Sequence, residues 1–103
     1  DRPALYNRLL GTFARTGATW MSEVCAAIER GDLPTATLMA HTLKANAGTI
    51  GAKPLAVLVG RLETALGAGP LGDETVLLAP LGRELAAVLA EADAYLNEAV
   101  NPS

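Results

Sequence analysis

The chain has 103 residues, half of them apolar and only 4% aromatic, and a formal net charge of -3. A chain of that length closes one hydrophobic core and not two. With so few aromatics, that core must be built from Leu, Ala and Val, which favours closely spaced helices over a sheet. The acidic balance and the scatter of Lys and Arg give no reason to expect nucleic acid. The single cysteine, Cys25, excludes an internal disulfide and a cysteine-based metal site. No apolar run approaches the ~18 residues needed to cross a bilayer. The chain starts at Asp1 with neither a methionine nor a signal peptide, so a domain cut from a longer chain is expected.

Pro3 can open a first, short helix, where its missing N–H costs nothing. Leu5, Tyr6, Leu9 and Phe13 follow with helical spacing, and Gly17 falls where a break is expected. A second helix is predicted from about Ala18 to Arg30, with Trp20, Met21, Val24, Ala27 and Ile28 as its buried stripe and Cys25 beside it. Gly31 suits a left-handed helix end and Asp32 the cap of the next helix. So short a connection makes the flanking helices antiparallel neighbours.

The third helix begins near Pro34, tolerated in a first turn. Advancing by about 100° per residue gathers Ala36, Met39, Ala40, Leu43, Ala47 and Ile50 on one side. His41, the chain's only histidine, falls almost opposite that stripe. Thr37, Lys44, Ala45 and Gly48 share its face, with Leu38 at the edge. The imidazole is therefore predicted to stand in solvent among small neighbours, one turn from a cation. Such a surface suits a nucleophile that another protein approaches.

Gly48 and Gly51 loosen the end of the third helix, and Pro54 can begin the fourth. There Leu55, Leu58, Val59, Leu62, Ala65 and Leu66 form a stripe, with Arg61 and Thr64 facing away. The segment Gly67–Gly72 reads as a connector, since it lacks the Lys-Ser/Thr ending of a phosphate-binding loop. Asp73 can cap the last helix. Its apolar positions, Leu77, Leu78, Leu81, Leu85, Val88, Leu89, Ala92 and Leu96, keep phase across Pro80. That predicts a continuous helix kinked near 76–80, with a fresh start at Pro80 as the alternative. Residues 101–103 are expected to fray. The whole is an all-α, antiparallel up-down-up-down four-helix bundle with a short additional N-terminal helix, one domain over 1–103.

His41-Thr42-Leu43-Lys44, followed by Ala47-Gly48, Gly51-Ala52, Leu55 and Leu62-Glu63, resembles the histidine-containing phosphotransfer domains of bacterial phosphorelays. The likeness follows the whole chain in helix order and is densest over residues 31–66. One position departs: the family usually has glycine after the lysine, where this chain has Ala45. The resemblance implies a carrier without an ATP site, of the kind found in hybrid sensor kinases. It takes a phosphoryl group on His41 from, or gives it to, the aspartate of a response-regulator receiver domain. The receiver would bring Mg2+, and this domain would need no cofactor of its own. Lys44 would meet the phosphoryl oxygens, and Thr37, Leu38, Ala45 and Gly48 would form the docking face.

The resemblance also implies that Glu63 accepts from His41 Nδ1–H and orients the ring. Left open is a rim glutamate in a weak ion pair with Arg61 or another cation. Also open is a bundle that docks a protein through the same face without chemistry. An ATP-dependent chemotaxis-type kinase module shares the fold but matches the His41–Gly48 stretch less well. An isolated monomer in the cytoplasm, without nucleic-acid or direct membrane contact, is expected; the parent chain could be tethered to a membrane.

Overall fold

Helix formation follows the apolar spacing closely. In a computed structural model the described residues, 2–68 and 73–100, fold as α1 (Arg2–Glu29), α2 (Leu33–Thr49), α3 (Lys53–Gly67) and α4 (Asp73–Val100). Among the described residues there is no strand. Helix α1 packs on α2 and α4, and α3 packs on the same two, so the helices close a ring. Its interior holds Phe13, Trp20 and Val24 from α1, Ala40 and Leu43 from α2, Leu55, Val59 and Leu62 from α3, and Leu81 and Leu85 from α4. No helix among the described residues is long and apolar enough to cross a membrane.

The separate N-terminal helix expected from Gly17 is not present. Helix α1 runs unbroken through that position for 28 residues. Gly17 is buried, and a Cβ placed on it would lie 2.9 Å from Cδ2 of Leu89. The glycine thus lets α4 come close to α1; it does not end a helix. Of the early apolar positions only Phe13 enters the core, joined by Leu10, whereas Leu5, Tyr6 and Leu9 remain exposed. Helix α2, at 17 residues, is too short to cover the start of a 28-residue partner.

Helix α4 is likewise continuous through Pro80. Leu78 before it packs against the core, and Leu81 and Leu85 after it are buried in it, whereas Leu77 is half-buried beside Arg61 and Val76. Burial on both sides outweighs the lost N–H and the crowding of the preceding turn. The connector at 69–72 and the tail at 101–103 lie outside the described residues, as does the side chain of Asp73.

Both described connections are tight. Gly31 (φ +77°) and Gly51 (φ +85°) occupy the left-handed region that side chains disfavour. Asp32 N–H then donates to Ala27 carbonyl at 2.9 Å and Ala52 N–H to Ala47 carbonyl at 2.8 Å. These bonds satisfy carbonyls at each helix end and turn the chain back within three residues. Helices α2 and α3 are therefore held side by side.

Candidate functional site

Helix α2 is pinned from two directions before it reaches His41. The Asp32 carboxylate accepts the Thr35 N–H at 3.3 Å, capping the first turn. The indole N–H of Trp20, on α1, donates to the Met39 carbonyl at 3.0 Å. Ala36, Ala40, Leu43 and Ala47 are buried, so the roll of the helix is settled and His41 points outward. Its side chain is 63% exposed.

Leu62 and Leu66 lock the roll of α3 in the same way and bring Glu63 to the seam with α2. One carboxylate then serves two partners. Glu63 Oε2 lies 2.9 Å from His41 Nδ1, and Glu63 Oε1 lies 3.1 Å from Lys44 Nζ. The Lys44 ammonium, and after it His41, hold the Glu63 carboxyl below its ordinary value of 4.5. An ionised carboxylate only accepts, so the proton of a neutral His41 sits on Nδ1 and the lone pair on Nε2.

A pH dependence follows. Asp32 is also lowered, chiefly by its hydrogen bonds with Thr35. A carboxylate lowered on folding contributes stability above its unfolded value and loses that contribution as pH falls through the folded value. Thermal melts from about pH 6 to about pH 3 should show the native chain losing stability faster than the Asp32→Asn, Glu63→Gln double variant. Parallel curves would show that neither carboxylate is held down.

The remaining positions predicted for the site lie along α2. Leu38 is 64% exposed, Thr37 is half-buried, and Ala45 and Gly48 are exposed. A Cβ at Gly48 would meet no atom within 4 Å, so that part of the face is open. Lys44, expected to project toward a phosphoryl group, rests on Glu63. Glu63, weighed as either ring-orienter or ion-pair partner, makes both contacts at once, and its cation is Lys44 and not Arg61. Sequence reasoning passed over Gly60, which adjoins the Lys44 stem. Its position one turn before Glu63, on the same side of α3, was the available signal.

A cleft of about 510 Å3 opens among Tyr6, Ile50, Pro54, Val88 and Tyr95, and none of the three linked side chains lines it. The imidazole is thus displayed on the outer face of α2, away from that cleft. A helical bundle bearing one solvent-facing histidine, a cation and a carboxylate has the outline of a phosphoryl carrier. The sequence profile of the Hpt domain matches residues 8–95, and the chain belongs to that family. Hpt domains are histidine phosphocarriers of two-component phosphorelays, distinct from enzymes, and they work with receiver domains. No curated protein and no solved structure matches the chain.

Proposed function

We propose that His41 Nε2 is the atom that carries the phosphoryl group, exchanged with the aspartate of a response-regulator receiver in a multistep phosphorelay. The observation behind this reading is the ring's two-sided setting, with Nδ1 held by a carboxylate and the opposite edge facing solvent. The Nε2 lone pair attacks the phosphorus of an aspartyl phosphate. An N–P bond forms, the acyl P–O bond breaks, and its electron pair returns to the receiver's carboxylate. The ring keeps its Nδ1 proton and gains positive charge as the bond forms. Glu63 faces that charge directly, and Lys44 is close enough to turn toward the incoming oxygens. Mg2+ on the receiver neutralises the group in flight.

Thr37, Leu38, Ala45 and Gly48 form the landing area for the receiver. The short turns at Gly31 and Gly51 support an antiparallel up-down-up-down ring, with these four positions together on one helix. The domain acts as a monomer in the cytoplasm, and its setting is a hybrid sensor kinase. Gly48→Trp is expected to slow transfer at least tenfold while leaving the fold intact. Helix α2 has open space there, and a loss of about 1.4 kcal/mol in docking already gives that factor. Stopped-time labelling against a panel of phosphorylated receivers measures it. A Gly48→Trp variant that transfers at the native rate to every competent receiver would remove this face from the interface.

A further inference from the structure

We infer that Gly60 is a positioning residue: the bare backbone it leaves on α3 is the channel through which the Lys44 stem crosses to Glu63. This inference deepens the phosphocarrier reading and rests on it. A Cβ on Gly60 would stand 3.3 Å from Lys44 Cδ, tighter than ordinary van der Waals contact. The stem therefore lies down across the place where any other residue would project. Its ammonium ends 3.1 Å from Glu63 Oε1, while the other oxygen of that carboxylate takes His41 Nδ1 at 2.9 Å. Among the described residues no third charged group comes within ion-pair distance of Glu63.

The arrangement has a physical purpose. An untethered lysine spreads its ammonium over many rotamers around a long flexible stem. Here the charge is confined beside the Nδ1 edge of the ring, off the edge that must meet the receiver. It remains a short swing from an arriving phosphoryl group. Charge held in place before the reaction needs little rearrangement during it. Glycine inside a helix lowers helix stability relative to alanine, and Gly60 lies well within α3. The local cost in helix propensity is offset by the room it gives the lysine.

The test uses Gly60→Leu, which fills the channel, and Gly60→Ala, which only narrows it and favours the helix. Carboxyl-carbon NMR follows the titration of Glu63, and labelling from a phosphorylated receiver follows transfer. In Gly60→Leu the Glu63 titration should move up toward the ordinary value of 4.5, because its strongest partner is displaced. Transfer should fall by up to about fivefold, the range an exposed ion pair supports, with Gly60→Ala between Gly60→Leu and the native chain. In a Lys44→Met background neither Gly60 substitution should change either measurement further. A Glu63 titration unmoved in both folded Gly60 variants, or effects that add in full to those of Lys44→Met, would overturn the inference. A native chain that accepts no phosphoryl group would instead refute the carrier reading, with the Glu63 titration still deciding where Lys44 is held.

Discussion

His41→Gln is expected to reduce labelling by a phosphorylated receiver to background while the helical spectrum stays native. The glutamine amide can occupy much of the ring's space and still reach Glu63, but it has no basic nitrogen lone pair to attack phosphorus. Nothing in the core changes, since the imidazole lies outside the ring of buried side chains. The label on the native chain should be lost in acid and survive alkali, as a phosphoramidate does. Label that persists in His41→Gln with the same lability would end the assignment of the acceptor. His41 is the chain's only histidine, so no second imidazole can take over.

The largest effect on stability is expected one residue away from Glu63. Leu62 is completely buried in the centre of α3, and Leu62→Ala should destabilise the bundle by ~2–5 kcal/mol. That is a large share of the ~5–15 kcal/mol of a typical domain. It should lower the melting temperature by more than about 10 °C. Below that temperature the variant should still accept phosphoryl groups, because the Glu63–His41 contact lies on the outer side of the seam. A melting temperature within a few degrees of the native value would mean that α3 does not close the core as described.

These two substitutions mark what could and could not be read before coordinates. Burial was largely readable in the centre of the chain. Of the two predicted stripes, Ala36, Ala40, Leu43 and Ala47, and Leu55, Val59, Leu62 and Leu66, are buried, whereas Met39, Ile50, Leu58 and Ala65 are half-buried. The Hpt family was readable too, because its pattern sits in one dense segment. The interpretation of glycine was less secure. Gly31 ends a helix and Gly17 does not, and the difference lies in Leu85 and Leu89 of α4, more than 60 positions away in the chain. Local signals give the conformations a glycine permits, whereas tertiary contacts decide which one is used.

The linkage at the site was hidden for a related reason. His41 and Lys44 share a face of α2, and that follows from spacing alone. That both end on one carboxylate depends on how α3 rolls and how closely it approaches, which no single helix encodes. The same holds for the length mismatch that leaves Leu5, Tyr6 and Leu9 exposed while Phe13 is buried.

The chain has a single tryptophan, and its indole is bonded to the helix that displays the histidine, on the side away from solvent. Trp20 is therefore an intrinsic optical probe of the α1–α2 seam. Its fluorescence should redden when α2 separates from α1 and stay constant while chemistry proceeds on the outer face. Unfolding and phosphoryl transfer can thus be followed in one cuvette without attaching a dye.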